Sequence, residues 1–456
     1  MINTKQISKK LLEIPIEEIA ATHNFSIHKD AKITATSFVL GFFLMIKLNS
    51  NTLKDWAIEV SSLLGQVFTD NAIQSKLQYP QLDFAKNLLN EVINRQMNGI
   101  GIKKWSVPLL SVFNKVYIED SMCMKLPKNL ASTFPGAHSK TGQAATAKIQ
   151  CRVELKSGNT TRLEVQSFRD NDQKFSSDIV KMLKAGDLVI RDLGYSILRV
   201  FNVINFMRAF FLSRFKYRTT IYAPETKQLI DLLEQLKKAN QLGINSFELS
   251  VLVGKEEQLP VRLVAIKVPE NIAQQRRHKA SKDRNKRVKR DAAYMLFLGW
   301  TIFITNVDKT VWTPQQMLKV YGFRWRIEII FKCWKSNFHF EALFQKKQSL
   351  TPARTFITLY LLLVWITLFF VKLFQLFLNQ VYDKHQKFVS ILKFAKFFKD
   401  RFVHFFEHPD WNFLVDLVAQ HCTYSPYKKI PNFYENLFSL TTMQDLQINE
   451  NQILII

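Results

Sequence analysis

Five short runs rich in β-forming residues lie between residues 116 and 214, and their order constrains the fold more than any other feature. Helical periodicity predicts two helices, at 175–184 and 197–206, around the fourth of these runs. Strands that come first, followed by strands alternating with helices, are typical of a mixed sheet with helices packed on it. The sequence therefore predicts an α/β (α+β) core whose strands are the runs 116–120, 148–155, 161–168, 187–192 and 210–214.

The segments that flank this core are predicted to be helical. Apolar residues recur at helical spacing in 11–21 and 38–46, and the Phe-rich chain beyond residue 351 has the same texture. Both flanks are therefore expected to form helical regions.

Residues 215–299 interrupt the core pattern. They contain two further strand candidates, 248–253 and 261–268, and then a basic run at 276–290 in which nine of fifteen residues are Lys or Arg. A charge run is usually a solvated face, but this density suits a phosphate-contacting element equally well. The sequence leaves both interpretations open.

Residues 300–316 predict a return to the core. The run 300–307 has strand chemistry, and Thr313 precedes Pro314 and Gln316. Thr at the N-cap, Pro at the first helical position and Gln as capping-box partner predict that a helix begins there.

The charge balance points to a polyanionic partner. Lys and Arg number 63 against 38 Asp and Glu, a formal net charge of +25 at pH 7. Cations of this kind bind phosphates and release counterions from DNA, so double-stranded DNA is the predicted partner. A basic membrane-surface protein is the alternative. The run 356–371 is uncharged, but it only approaches the roughly 17–25 residues that span a bilayer, so we predict a buried helix and no stable membrane insertion.

The cysteines and the N-terminus indicate a cytoplasmic protein. No pair of cysteines has zinc-ligand spacing, and four cysteines in a chain of this length do not suggest a disulfide framework. The first residues lack the apolar stretch of a signal peptide. We therefore expect reduced thiols at Cys123, Cys151, Cys333 and Cys422.

One segment combines cations, a carboxylate and a phenol at helical spacing. Tyr321, Arg324, Glu328 and Lys335 are offset by 0, 3, 7 and 14 residues. On one continuous helix, at about 100° per residue, they would share a stripe roughly 60° wide. An ion-pair ladder on a solvated face would also place Arg324 near Glu328. The full set, however, suits a site that handles both metal and phosphate.

The spacing Y-x2-R-x3-E-x6-K resembles the YREK signature of bacterial insertion-sequence transposases, a family built on an RNase H-like DDE core. That family carries two aspartates upstream, each at the end of a core strand. Asp120 lies in YIEDS before LPKNLASTFPG, and Asp192 lies in LVIRDLGYS; both blocks are similar to those of the family. Met122 and Ser196 depart from the Thr and the aromatic residue expected there, which affects packing near the site and leaves the acids intact.

The spacing of the acids also fits the resemblance. Glu119 competes with Asp120, but strand neighbours point to opposite faces, and the family pattern selects Asp120. The intervals to Asp192 and then to Glu328 are 192 − 120 = 72 and 328 − 192 = 136 residues. The longer interval, where this group inserts a β-rich domain, contains residues 215–299. The resemblance thus implies an RNase H-like mixed-sheet catalytic core interrupted by a β-rich insertion, with helical N- and C-terminal regions.

The resemblance implies a DNA transposase that binds the ends of a mobile element, cleaves phosphodiester bonds and transfers strands into target DNA as a homodimer. Asp120, Asp192 and Glu328 would be the catalytic residues and the metal ligands. Carboxylates suit this role because in-line attack on a phosphodiester builds charge on the entering and leaving oxygens. Two Mg²⁺ ions, which Mn²⁺ can replace, can stabilise that charge, and hard cations require oxygen ligands.

Cations and aromatic residues complete the implied DNA site. Arg324 as a fork and Lys335 as a point charge would hold a backbone phosphate, and Tyr321 would contact the same strand. Trp300 would stack on a base pulled out of the duplex, although a strand tryptophan also suits the core of a sheet. The basic run would add phosphate contacts at Arg276, Arg277, Lys279, Arg284, Arg287 and Arg290.

Two other functions stay open at this point. One is a catalytically inactive DNA-binding relative, which the presence of all three acids opposes. The other is a basic membrane-associated protein, which would depend on the apolar run after residue 356. The expected domains are a helical DNA-binding domain (1–100), the first part of the core (101–214), the insertion (215–299), the second part of the core (300–350) and a helical dimerisation region (351–456).

Overall fold

The chain divides into two compact units, each built from three segments of sequence. The first unit comprises Met1–Lys104, Ser121–Asp170 and Ile327–Tyr427; the second comprises Trp105–Asp120, Asn171–Arg326 and Lys428–Ile456. The computed structural model describes residues 13–23, 25, 32–47, 50, 52–98, 107–139, 142–170, 172–283, 289–344, 350–402, 410–425 and 432–438.

Helices dominate the described residues on both sides of the strand-rich middle, as predicted. The described α-helices are α1 (Ile16–Thr22), α2 (Ala35–Lys47), α3 (Leu53–Leu64), α4 (Asp70–Gln74), α5 (Leu82–Asn98), α6 (Asp172–Ser176), α7 (Leu198–Phe206), α8 (Leu232–Gln241), α9 (Glu270–Lys282), α10 (Ala292–Phe297), α11 (Pro314–Gly322), α12 (Trp325–Lys332), α13 (Pro352–Trp365), α14 (Lys372–His385), α15 (Ile391–Arg401), α16 (Trp411–His421) and α17 (Phe433–Phe438).

Strands occupy the middle of the chain. They are β1 (Val116–Leu126), β2 (Pro135–Ser139), β3 (Gly142–Glu154), β4 (Thr160–Ser167), β5 (Leu188–Arg191), β6 (Phe210–Arg214), β7 (Ile221–Tyr222), β8 (Leu229–Ile230), β9 (Ser246–Val253), β10 (Leu259–Lys267) and β11 (Trp300–Thr305).

The sheet is mixed. In the second unit β1 pairs with β5 and β5 with β6, both in parallel. β11 then pairs antiparallel with β6 and with β10, so the strands of the insertion extend the core sheet. The strand order is β2-β3-β1-β5-β6-β11-β10-β9-β7-β8, with β4 on β3. These features confirm the predicted RNase H-like mixed-sheet core with a strand-rich interruption.

The central strands are buried on both faces. Every residue of β5 and of β11 is buried. Strands covered on both faces read as continuous apolar runs, which explains why 300–307 alternates poorly. On one face α7 packs against β6, with the rings of Phe201 and Phe211 stacked at 4.4 Å between centroids. The site described below lies on the other face.

Two helix predictions are wrong in their extent. Residues 175–184 form the end of α6 and then a 3₁₀ helix, Ser177–Lys181, instead of one α-helix. The segment with the YREK residues is also not continuous, because α11 ends at Gly322 and α12 begins at Trp325. Gly is a weak helix former, and the amide of Arg324 bonds to the carbonyl three residues back, at 3.1 Å.

The apolar run 356–371 lies within one long helix, in which α13, the π-helix Ile366–Val371 and α14 follow one another without a break. Among the residues that the structure describes, Pro352–His385 is the one helix long and apolar enough to cross a membrane by length and composition. In its most apolar window, 72% is buried inside the protein. Such burial is typical of a core helix, which is the interpretation that the sequence favoured.

Candidate active site

Asp120 and Asp192 occupy the same register position along the adjacent parallel strands β1 and β5. In the register of β1 and β5, Glu119 is opposite Arg191, and Asp120 and Asp192 are the next residue of each segment. Residues at one level of parallel strands point to the same face, so both carboxylates project on one side of the sheet. Both are half-buried. The structure therefore brings together two of the three predicted acids, although 72 residues (192 − 120) separate them.

Tyr321 contacts the second of these aspartates. Its hydroxyl lies 3.4 Å from Asp192 Oδ1, and its ring packs on Phe303 of β11 with 5.0 Å between centroids. Burial, followed by the nearby charge of Asp192, raises the pKa of the Tyr321 phenol above its usual range. The phenol therefore stays protonated at neutral pH and can donate a hydrogen bond to the carboxylate of Asp192.

Arg324 contacts the first aspartate. Its Nη1 donates to Asp120 Oδ2 at 2.9 Å, and the arginine side chain is 8% exposed. The guanidinium also lies over the ring of Tyr321, 5.9 Å from its centroid. Arg324 lies in the break between α11 and α12 and contacts Asp120, whereas Tyr321 lies in the last turn of α11 and contacts Asp192. Each aspartate is thus held by one residue of the YREK segment.

Arg214, the last residue of β6, lies beside Asp192 and was not among the site residues predicted from the sequence. The β5–β6 register places Ser213 opposite Arg191, so Arg214 is level with Asp192 and on the same face. Its positive charge opposes the rise in the Tyr321 pKa. The sequence could have indicated Arg214, because the predicted strand 210–214 ends at this arginine. A cation in line with two acids adds an anion-attracting group to the site.

Glu328 and Lys335 belong to the first unit, whereas Asp120 and Asp192 belong to the second. Glu328 is half-buried on α12, and Lys335 is exposed on the π-helix Cys333–Asn337 that follows. Their convergence with the two aspartates therefore stays a prediction.

The donors suit a divalent cation only in part. Asp120 and Asp192 offer carboxylate oxygens, which hard cations such as Mg²⁺ prefer. Within the described part of the chain, however, no group of three or more His, Cys, Asp or Glu side chains is positioned to hold a metal. The ion pair of Arg324 with Asp120 also engages one of the oxygens concerned. A third ligand and a shift of this ion pair are needed to complete a site.

Comparison with known proteins decides the family. A family model described as "Transposase DDE domain" matches residues 113–366, which is 366 − 113 + 1 = 254 of the 456 residues. The chain belongs to this transposase family.

Individual relatives agree with this family. The transposase for insertion sequence element IS231B of Bacillus thuringiensis subsp. berliner is 26% identical over 355 residues, which cover 74% of this chain and 73% of the relative. The transposase for IS1151 of Clostridium perfringens is 25% identical over 354 residues, covering 73% and 74%. Among solved structures, the piggyBac transposase synaptic complex with hairpin DNA matches with a TM-score of 0.41 and 11% identity, covering 93% of this chain and 84% of that one. The family match and the two insertion-sequence relatives confirm the predicted membership among bacterial insertion-sequence DDE transposases.

The basic run of this transposase is partly engaged within the protein. Arg276 donates to Thr301 Oγ1 at 3.1 Å, and burial, followed by the charge of Arg214, lowers its pKa to about 10. Arg277 pairs with Glu270 at 2.8 Å. These two arginines therefore have structural contacts that the sequence did not predict.

The remaining cations of the run differ in their surroundings. Arg290 pairs with Asp283 at 3.2 Å, whereas Lys279 is exposed on α9. Arg284 and Arg287 lie outside the described residues. The exposed lysines of α9 are therefore the better candidates for phosphate contacts.

Trp300 is buried in the core of the transposase. Its side chain is 1% exposed and packs edge-on against Phe247, with 5.7 Å between ring centroids. It shares a hydrophobic cluster with Ile302 and Ile304, on the face of β11 opposite Phe303. This is the position that the core alternative predicts. A base stacked on the indole would require Trp300 to leave this cluster.

Proposed function

We propose that this transposase cleaves DNA at the ends of an insertion sequence and joins the freed strands to target DNA. Asp120, Asp192 and Glu328 would be its catalytic carboxylates. The observation that carries the proposal is the pair of level aspartates, each in contact with a different residue of the YREK segment, Tyr321 or Arg324. Residues 129 and 204 positions apart in sequence come together in this way.

The chemistry follows from the carboxylates. Hydrolysis and strand transfer are both in-line displacements at phosphorus, which build negative charge on the entering and leaving oxygens. Two Mg²⁺ ions, or Mn²⁺ in their place, would stabilise that charge when bound by Asp120, Asp192 and Glu328. The protein would position the nucleophile and the phosphate, which is where most of the catalytic effect in phosphoryl transfer arises.

Arg324 and Lys335 would bind a phosphate of the DNA backbone. Arg324 presents a planar fork that suits two phosphate oxygens, whereas Lys335 acts as a point charge. A DNA phosphate would compete with Asp120 for the Arg324 guanidinium. Its arrival would release a carboxylate oxygen for a metal. The protonated Tyr321 phenol would hold Asp192 in place during this exchange.

The partner would be double-stranded DNA, at the element ends and at the target, bound by a homodimer in the cytoplasm. The net charge of +25 supports this partner, and the four cysteines are free thiols, as suits a reducing compartment. The burial of the helix Pro352–His385 supports its assignment to the core.

The test uses a labelled duplex that carries the element end, a supercoiled target plasmid and the purified chain. Mg²⁺ or Mn²⁺ should produce cleaved ends and then joined products, and chelation of the metal should abolish both. Mobility shift of the same duplex measures binding separately. Binding of the duplex without cleavage under either metal would favour the inactive DNA-binding relative.

A further inference from the structure

A second charged pair lies on the opposite face of the two strands that carry the aspartates. Glu119 and Arg191 directly precede Asp120 and Asp192 and face each other in the parallel register. Strand neighbours point to opposite faces, so this pair projects away from the acids. Both side chains are 0% exposed, and Arg191 Nε donates to Glu119 Oε2 at 2.8 Å.

Arg191 also connects these strands to the segment before β5. Its Nη1 donates to Ser176 Oγ at 2.7 Å, and its Nη2 donates to the Ser176 carbonyl at 2.6 Å. Ser176 Oγ in turn donates to the Tyr195 carbonyl at 2.8 Å. Tyr195 ends the 3₁₀ turn that begins after Asp192, since its amide bonds to the Asp192 carbonyl at 3.1 Å. The network therefore reaches the backbone on both sides of Asp192.

Folding stability alone gives a weak reason for this network. Taking two charges out of water is costly, and well-packed apolar residues in place of a buried ion pair are often neutral or stabilising. Apolar side chains already fill this face, including Tyr117, Val189 and Phe211. The pair can instead specify geometry, because its short bonds are directional.

The geometry that the pair can specify is the register between β1 and β5, which sets the relative positions of Asp120 and Asp192. A slip of one residue between strands moves every side chain to the other face. A one-residue slip of β1 would bring Glu119 to the catalytic face in place of Asp120. The hydrogen bond between Glu119 and Arg191 opposes that slip, because it forms in the register of the structure and would be lost in a shifted register.

We propose that Glu119, Arg191 and Ser176 are positioning residues that hold the two catalytic aspartates level with each other. They contact neither DNA nor metal and act through the backbone of β1, β5 and the turn after Asp192. The inference rests on the proposed catalytic function of Asp120 and Asp192.

The experiment replaces the ion pair with apolar residues of similar size, in the double variant Glu119→Leu/Arg191→Met. The control is Glu248→Leu/Arg262→Met, which removes a cross-strand ion pair of 2.7 Å between β9 and β10. Melting temperature, affinity for the element-end duplex, single-turnover cleavage rate and the Mg²⁺ concentration for half-maximal rate are measured. Ser176→Ala is the second variant, since it removes one hydroxyl and keeps the charges.

The inference predicts a folded double variant that binds DNA as wild type but cleaves at least about tenfold more slowly, because a 1 Å misplacement can cost about 10²-fold. It should also need more Mg²⁺, whereas the control pair changes neither quantity. Ser176→Ala should show the same changes to a smaller extent. If the double variant does not fold, Ser176→Ala decides.

Wild-type cleavage kinetics in a folded double variant, or in Ser176→Ala if the double variant is unfolded, would overturn the positioning role. The cleavage rate of Asp192→Asn, measured in the same assay, distinguishes this result from a failure of the proposed function. If Asp192→Asn cleaves normally, the proposed function and the positioning role both fall. If it is inactive while the network variants are normal, only the positioning role falls.

Discussion

Arg324 Nη1 lies 2.9 Å from Asp120 Oδ2, although 204 residues separate the two in the sequence. The guanidinium thus pairs with one of the carboxylates that we propose to be catalytic. The same group is expected to hold a DNA phosphate. One cation with two alternative anionic partners would couple DNA binding to the availability of Asp120.

Arg324→Ala should therefore strengthen the binding of Mn²⁺ in the absence of DNA, because it removes a positive charge within 2.9 Å of Asp120. The same substitution should slow cleavage by about 10²–10³-fold, the range seen when one preorganised charge-stabilising donor is removed. Calorimetric titration of Mn²⁺ measures the first effect. Arg199→Ala, at an arginine whose side chain is 76% exposed, is the control and should change neither. Weaker Mn²⁺ binding by Arg324→Ala would contradict the proposed exchange.

Tyr321→Phe should slow cleavage while the ring keeps its packing on Phe303. It should also change the pH dependence of stability. The folded pKa of Tyr321 is raised above the usual 10.0, so its contribution is fully present below pH 10 and is lost as the pH rises further. The wild type should thus lose unfolding free energy relative to Tyr321→Phe above pH 10, as measured by urea unfolding.

Tyr360→Phe is the matched control for that experiment. Burial raises the pKa of Tyr360 to about 12, so the variant should show a similar alkaline effect. Tyr360 accepts a bond from the Val165 amide at 3.3 Å and lies in the first unit, remote in sequence from the aspartates. Its cleavage rate should match wild type. Equal cleavage by Tyr321→Phe and wild type would remove the phenol from the site.

Exposed lysines of α9 should contribute to the salt dependence of DNA binding. Lys279→Gln/Lys282→Gln should reduce the slope of log K against log salt by about 0.9 for each DNA phosphate that the variant no longer neutralises. Arg276→Gln should instead lower stability, because Arg276 is tied to Thr301. Mobility shifts over a salt series and thermal melts distinguish these effects. A slope unchanged in the double lysine variant would mark α9 as a solvated face.

Trp300→Ala should destabilise the fold by about 3–5 kcal/mol, the usual cost of truncating a buried large aromatic residue. Trp300→Phe should recover much of that stability. A 2-aminopurine placed at the element end reports base extrusion through its fluorescence. A stable Trp300→Ala protein with altered fluorescence would support the base-stacking role and contradict the core assignment.

Several local features were predictable because they depend on neighbouring residues. The strand Phe210–Arg214 has the predicted bounds. The capping box at α11 is also as predicted, with Thr313 Oγ1 accepting from the Gln316 amide at 3.3 Å and Gln316 Oε1 accepting from the Thr313 amide at 2.9 Å. Asp192 directly follows β5, as predicted, whereas the prediction that β1 ends at Asp120 is wrong, because β1 continues to Leu126.

Features that depend on distant contacts were not predictable. The predicted stripe of YREK residues required one continuous helix, but the helix is interrupted between Gly322 and Trp325, and Tyr321 and Arg324 contact different aspartates. Arg214 became significant only once the β5–β6 register placed it level with Asp192. The partner of Glu119 likewise lies 72 residues away, and strand alternation alone does not name it.

The central claim is that Asp120, Asp192 and Glu328 act together in metal-dependent cleavage. Its most direct test is the single-turnover cleavage rate of Asp120→Asn, Asp192→Asn and Glu328→Gln on an element-end duplex, beside Asp383→Asn at an exposed position on α14. We predict that each of the three lowers the rate by at least about 10²–10³-fold, the usual cost of losing one group that supports stabilisation of transition-state charge, because each carboxylate would hold the metal that supplies it. Duplex affinity and the Asp383→Asn rate should stay at wild-type values. A near wild-type rate in any one of the three would remove that residue from the catalytic site and contradict the account.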